Sequence, residues 1–165
     1  MQTGIVVFAV LLLCAVGLGA FFWNRRKKKE KVVSWSGGDF TAKTGFTFVQ
    51  LPCSDRLRAV DSQVVDGFIA QLRFRTEQGG MAILRAAVDV GREISRQTGR
   101  PYSTVHRFQL GDTEVTFYHN HSGPQLALWS RDGFRYCLYL PKAEPTLMGG
   151  LLGLLVENTR CRLYG

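Results

Sequence analysis

The first feature of the hydrophobic pattern is one long apolar run near the N-terminus. Residues 4–23 contain no charged side chain, and only Met1, Gln2 and Thr3 precede them. A helix of this length spans roughly 30 Å, which is the thickness of the hydrocarbon layer of a bilayer. A cleaved signal peptide has basic residues before a shorter apolar run. The pattern therefore predicts one transmembrane helix that is retained in the protein.

Alternation of apolar and polar residues begins after residue 44 and predicts antiparallel β-strands. The clearest set is Phe68, Ala70, Leu72 and Phe74, which has the period of a half-buried strand. Glycine next to aspartate, at 111–112 and at 132–133, predicts tight turns within two strand pairs. The strands predicted besides the one at Phe68 are residues 46–51, 104–110, 113–118, 125–130 and 134–140.

Four segments have weaker patterns. Residues 57–65 are predicted as an irregular strand that pairs through an Asp66-Gly67 turn with the strand at Phe68. Residues 81–90 fit either a helix or a short strand between glycines, and periodicity alone does not decide. Residues 92–103 are predicted as a loop, and residues 32–44 as a tether with neither periodicity.

The last apolar segment predicts an amphipathic helix that starts near Glu144 and Pro145 and is too short to span a bilayer. Its glycines each lower helix propensity by about 1 kcal/mol, which suggests close packing against a flat sheet face. The glycines are Gly149, Gly150 and Gly153. The apolar residues near one face are Leu147, Leu151, Leu154 and Leu155.

These elements predict an α+β chain with one globular domain after the anchor. A stub (1–3) precedes the transmembrane helix (4–23), and a basic stop-transfer segment and tether (24–44) follow it. Residues 45–165 form an antiparallel sheet with a C-terminal amphipathic helix packed on it. The residues expected to pack in the core are Phe68, Leu72, Phe74, Trp129, Phe134, Tyr136, Leu138, Leu151 and Leu155.

The formal net charge of +8 is concentrated just after the apolar run. Because Lys and Arg next to a span stay on the cytoplasmic side, the N-terminus is predicted outside and the domain in the cytoplasm of a cell membrane. The same cluster suits anionic headgroups. The rest of the domain is only mildly basic, so no nucleic-acid partner is predicted. The residues expected at the membrane surface are Trp23, Arg25, Arg26, Lys27, Lys28, Lys29 and Lys31.

No catalytic pattern is recognisable, so a non-enzymatic protein without a cofactor or metal is expected. Cysteines at 14, 53, 137 and 161 have no CxxC spacing, which argues against a disulfide framework and a structural zinc site. His119-Asn120-His121 could supply two metal ligands, but no further ligand is spaced nearby, and a polar hairpin loop is predicted. Cys53 or Cys137 could be combined with His106 as a nucleophilic pair, but any chain with several cysteines and histidines offers such combinations, so they are not evidence of catalysis.

The run 111–117, followed by Trp129, Gly133, Phe134 and Tyr136, resembles a family of bacterial domains. These are domains of unknown function that follow a single span or lipid anchor in small proteins of Gram-positive bacteria. The resemblance implies an antiparallel sheet with a C-terminal helix, favours a strand at 81–87, and supplies no catalytic residues. The family's domains often lie outside the cytoplasm, which is the alternative to the location that the charges predict.

Two functions remain open from the sequence. The favoured one is a protein-interaction or regulatory domain at the membrane face that binds another protein or itself. The alternative is a sensor or carrier domain that holds a small molecule or lipid between the sheet and the C-terminal helix. Flat packing lined by glycines would favour the first, and a roomy apolar cavity under the helix would favour the second.

The topology prediction can be tested with reporter fusions after Gly165. We expect a cytoplasmic reporter to be active and alkaline phosphatase to be inactive, because the basic residues follow the span. Replacing residues 25–29 with acidic residues should weaken or invert the orientation. Alkaline phosphatase activity in the unmodified fusion would contradict the predicted orientation.

Overall fold

The structure of the chain, a computed structural model, describes residues 30–34, 40–51, 57–76, 79–142 and 145–164. The predicted transmembrane helix lies outside these ranges, as do Trp23 and the basic residues Arg25, Arg26, Lys27, Lys28 and Lys29. Within the described ranges, no helix has the length and apolar character needed to cross a membrane. Residues Lys31–Gly165 cluster as one compact unit.

Most of the domain is one eight-stranded antiparallel sheet with a C-terminal helix, which confirms the predicted antiparallel sheet and helix. Its strands are β1 (Val32–Ser34), β3 (Leu57–Val65), β4 (Ile69–Thr76), β5 (Met81–Val88), β6 (Thr104–Leu110), β7 (Thr113–His119), β8 (Gln125–Arg131) and β9 (Phe134–Leu140). They lie in the order β1-β3-β4-β5-β9-β8-β7-β6. Two further strands, β2 (Phe46–Gln50) and β10 (Arg160–Leu163), pair with each other. The helices are α1 (Thr41–Thr44) and α2 (Pro145–Asn158), and residues Arg96–Gly99 form a 3-10 turn.

The turn between β8 and β9 shows how the sequence sets the register. Asp132 and Gly133 have φ angles of 52° and 77°, both in the left-handed region. A two-residue turn of this kind matches the twist of antiparallel strands, and aspartate followed by glycine adopts it at low cost. Arg131 consequently faces Phe134 across the hairpin.

The ambiguous segment at 81–90 is the strand β5, as the resemblance implied. It lies between β4 and β9 near the middle of the sheet. Four consecutive residues, Leu84 to Ala87, are buried, so both faces of the strand are covered. A strand buried on both faces does not alternate between apolar and polar residues, which is why its sequence pattern was indecisive.

The prediction of a tether over residues 32–44 is wrong for the part that the structure describes. Val32–Ser34 pairs with β3, and Phe40 is fully buried with its ring 5.7 Å from that of Phe48. All three side chains of β1 are exposed. Backbone pairing without a buried face leaves no periodicity in the sequence. The short strand β10 was missed for a different reason: it begins only two residues after α2 ends, and Cys161 is the one buried residue of its four.

The face of the large sheet that α2 covers is called here the inner face. Its buried cluster includes Leu72, Phe74, Trp129, Phe134, Tyr136 and Leu138 of the sheet, and Leu151 and Leu155 of the helix. Phe68 differs from its expected position. It lies in the turn before β4, is only partly buried, and packs on the opposite, outer face, with the Arg92 guanidinium 5.2 Å from its ring centroid.

The glycines of α2 do not mark close packing, which corrects the sequence-based expectation. Gly149 and Gly150 are exposed. A Cβ atom built at Gly149 or Gly153 would meet no atom within 4 Å. The buried residues of the described part of α2 are Met148, Leu151, Leu152, Leu155 and Val156, whereas Leu154 is only partly buried.

The C-terminal end of α2 is fixed by two arginines. Arg131 Nη1 donates a hydrogen bond to the Val156 carbonyl at 3.3 Å, and Arg160 Nη1 donates to the same carbonyl at 3.5 Å. Arg160 Nη1 also donates to the carbonyl of Thr159, just after the helix, at 2.8 Å. The last carbonyls of a helix have no partner within it, and they carry the negative end of its dipole. Asp132 lies 3.9 Å from Arg131 Nε and 3.5 Å from Arg160 Nε, which links the helix end to the β8–β9 turn.

The burial of α2 gives a prediction for stability. In a fragment of residues 31–165, Leu151→Ala should lower the free energy of unfolding by about 2 to 5 kcal/mol, because it leaves a cavity in the core. Gly153→Ala should raise it by up to about 1 kcal/mol, since alanine favours the helix and its methyl group meets nothing. Chemical denaturation measures both changes. An unchanged midpoint for Leu151→Ala would contradict the packing of α2 on the sheet.

Candidate functional site

A groove opens on the inner face between the first half of α2 and the strands β6, β7 and β8. Its volume is about 470 Å³. The residues that line it are Phe108, Phe117, His119, Asn120, His121, Gln125, Met148, Gly149 and Leu152. The set combines aromatic and aliphatic side chains with a few polar ones, which is the usual composition of a small-molecule site.

Strand register orders the groove from a polar end to an apolar end. His119 lies opposite Gln125 at the end of β7. Two residues further in, Phe117 lies opposite His106. A further two residues in, Phe108 of β6 lies opposite Val115. Since side chains two residues apart on a strand share one face, the polarity falls steadily along the inner face away from the β7–β8 connection.

The wall opposite the strands is formed by one turn of α2. Met148 and Leu152 are four residues apart, so they lie on the same side of the helix, and both are buried. Gly149 follows Met148 and has no side chain to narrow the groove. The helix therefore supplies an apolar wall with a gap at Gly149.

The histidines at the polar end lie in a group of stacked rings. The His106 and His119 rings are 5.4 Å apart and inclined by 16°, and the Phe117 and His119 rings are 5.1 Å apart and inclined by 18°. His119 is the last residue of β7, while His121 lies exposed in the bend that follows. Across the described residues, no three His, Cys, Asp or Glu side chains are grouped so that they could hold a metal ion.

Asn120 has a structural role in this loop. Its Oδ1 accepts a hydrogen bond from the Ser103 backbone N–H at 2.7 Å, and its Nδ2 donates to the Pro101 carbonyl at 3.4 Å. These bonds fix the β7–β8 connection to the segment before β6. The position of both neighbouring histidines depends on this connection.

The two described cysteines, Cys137 and Cys161, are buried. Cys137 lies on the outer face, whereas His106 lies on the inner face, so the hypothetical Cys137–His106 pair is not formed. Burial raises the pKa of Cys161, which lies beside Tyr136, from its ordinary value of 9.0 to about 12. This thiol stays protonated at neutral pH and is a poor nucleophile. Cys14 and Cys53 lie outside the described residues.

The outer face carries a polar network that has a structural explanation. Arg85 Nε donates to Gln71 Oε1 at 2.7 Å, and its Nη1 donates to the Ile94 carbonyl at 3.4 Å. Gln71 Nε2 donates in turn to Gln63 Oε1. These bonds satisfy buried polar groups and tie the loop at Ile94 to the sheet.

Lys31 belongs to the residues expected at the membrane surface and is itself described. It is exposed and directly precedes β1. Its backbone N–H donates to Asp66 Oδ1 at 2.8 Å. Together with Lys43, it lines a depression of about 250 Å³.

Several residues of the groove were not singled out from the sequence. Phe108 and Phe117 fall in predicted strands, but nothing in the sequence shows which part of the inner face the helix leaves open. Comparisons with family models, with curated proteins and with solved structures each gave no match.

The buried thiol gives a prediction for pH dependence. Because the pKa of Cys161 is raised on folding, the folded state holds a proton that the unfolded state releases above about pH 9. The free energy of unfolding should therefore fall as the pH rises from about 9 towards 12. Denaturation at several pH values measures this fall, and Cys161→Ala should reduce it. A fall of equal size in the variant would contradict the assignment to Cys161.

Proposed function

We propose that this protein is a membrane-anchored, non-enzymatic domain that binds a small apolar or amphipathic molecule in the groove between α2 and strands β6 to β8. The observation that carries the proposal is the groove itself. Its volume of about 470 Å³ falls within the range of about 300 to 1,000 Å³ that is common for ligand pockets. Binding an apolar ligand there would remove apolar surface of the walls and of the ligand from water, which is favourable in free energy.

The packing of α2 supports ligand binding over a purely structural helix. If Gly149 and Gly153 lay against the sheet, a close, flat contact would explain why these positions are glycine. Instead, each faces open space, and Gly149 lies at the groove. A glycine in a helix costs about 1 kcal/mol relative to alanine, and at position 149 the open groove gives a reason for it.

The anchor fits the same proposal. The apolar run 4–23 and the basic residues after it would hold the domain next to a bilayer, with the domain on the cytoplasmic side. A bilayer is a reservoir of apolar and amphipathic molecules. A domain held at its surface would meet such ligands at high local concentration.

A second candidate is a protein-interaction role for the strand β6. It is an edge strand of the large sheet, and within the described ranges no strand pairs with its free side. Val105 and Phe108 of this strand are 52% and 36% exposed. An exposed edge with apolar side chains can accept a strand from a partner.

The ligand-binding proposal can be tested by filling the groove. Gly149→Leu should place a side chain in the groove and reduce labelling by a photoreactive alkyl probe, because the two would compete for the same space. Gly153→Leu is the matched control, since it adds the same side chain to the same helix outside the groove lining. The full chain is labelled in lipid nanodiscs, and the labelled residues are identified by mass spectrometry.

We expect labelling at Met148, Leu152 and Phe108 in the unmodified chain and in Gly153→Leu, and a loss of it in Gly149→Leu. Equal labelling in both variants would contradict binding in the groove. Labelling confined to residues outside the groove in the unmodified chain would do the same. The β6 candidate predicts a different result, namely recovery of a crosslinked partner protein through Val105.

A further inference from the structure

We infer that the ligand of this groove is an amphiphile with an anionic head, which binds at the His119–His121 end, and an apolar tail, which lies along Phe117 and Phe108 beneath α2. The inference rests on the proposed function and names its ligand class. It depends on the direction in which the lining changes from polar to apolar.

The polar end of the groove is confined to one place in the fold. Four of the nine lining residues that the structure describes are polar, and all four lie at the end of β7, in the following bend, or at the start of β8. The lining residues further from this end are Phe117 and Phe108 on the strands, and Met148, Gly149 and Leu152 on the helix. A ligand that fills the groove would therefore need one polar end and an apolar body.

The two histidines are the groups best placed to bind a head group. Asn120 already bonds to Ser103 and Pro101, and Gln125 is buried with a partner of its own. His119 makes its ring contacts through stacking, which leaves the ring nitrogens available at its edge. His121 is exposed at the mouth of the groove.

The chemistry of this end favours an anion over a neutral head group. Imidazole donates hydrogen bonds through its N–H groups. A carboxylate or phosphate oxygen would accept charge-assisted hydrogen bonds from it. No residue that lines the described groove is acidic, so nothing in the lining would repel an anion.

The test uses three photoreactive probes with one common alkyl tail. Their heads are a carboxylate, a phosphate monoester and the methyl ester of the carboxylate. The full chain in nanodiscs is compared with the double variant His119→Phe/His121→Ala for each probe, because neither new side chain donates a hydrogen bond. The ratio of labelling between the two proteins cancels differences in how the probes partition into the bilayer. Arg107→Gln is the control, because it removes a positive charge from β6 without touching the groove.

We expect the double variant to reduce labelling of Met148 and Leu152 by an anionic probe about tenfold, which is the effect of losing a hydrogen bond to a charged group. The methyl ester should label both proteins equally, and Arg107→Gln should behave as the unmodified chain. Preference for carboxylate over phosphate, or the reverse, identifies the head group.

Three outcomes would overturn the inference, and they are distinguishable. If the ester labels the groove as strongly as both anions and the double variant changes none of them, the groove binds apolar molecules without head-group recognition. The proposed function would then stand alone. If no probe labels the groove, the proposed function fails as well. Since the double variant could fail to fold, His121→Ala alone serves as the second variant, because His121 is exposed in a bend. Loss of ester labelling in the double variant would show that its groove is no longer formed, and the single variant then decides. An unchanged preference for anions in the single variant would in that case count against the inference.

Discussion

The structure depends on one geometric constraint, which is that a short helix has to cover one face of a wide sheet. Eight strands at a spacing of about 4.8 Å give a sheet roughly 34 Å across. The 14 residues of α2 give a helix only about 21 Å long. The β2–β10 pair extends the cover, with the Phe46 ring 5.3 Å from that of Phe134 at the start of β9. The inner face over β6 and β7 is left partly open, and the groove lies there.

The two halves of α2 have different surroundings as a result. Leu155 and Val156 are fully buried, and the helix end is held by Arg131 and Arg160. Met148 and Leu152 are buried as well, but they form one wall of the groove. Fixing the C-terminal half limits how far the N-terminal half can move to close over the strands. A stable core and an open groove are therefore compatible within one helix.

The sequence predicted the parts of the fold in which local chemistry decides. The alternation at Ala70, Leu72 and Phe74 and the Asp132-Gly133 turn each specify a strand or a turn without distant contacts. Sequence-based prediction failed for strands whose formation depends on pairing with distant parts of the chain. β1 has no buried face, and β5 is buried on both faces, so neither shows a period of two. Phe68 continues the alternation of β4 in sequence, yet the turn places it against the outer face.

The candidate site was beyond sequence reasoning for the same physical reason. His119 and His121 were noticed as a possible half of a metal site, because their spacing is local. Their link to Met148 and Leu152 requires knowing where α2 crosses the sheet, which no periodicity encodes. The glycines were correctly recognised as costly for a helix, but the cost was assigned to close packing. Gly149 lies beside an open groove instead. A glycine in a helix can therefore leave room for a ligand as well as allow close contact with a neighbouring element. Close packing and ligand access both require a residue without a side chain, so the sequence looks the same in both cases. Only the three-dimensional arrangement distinguishes them.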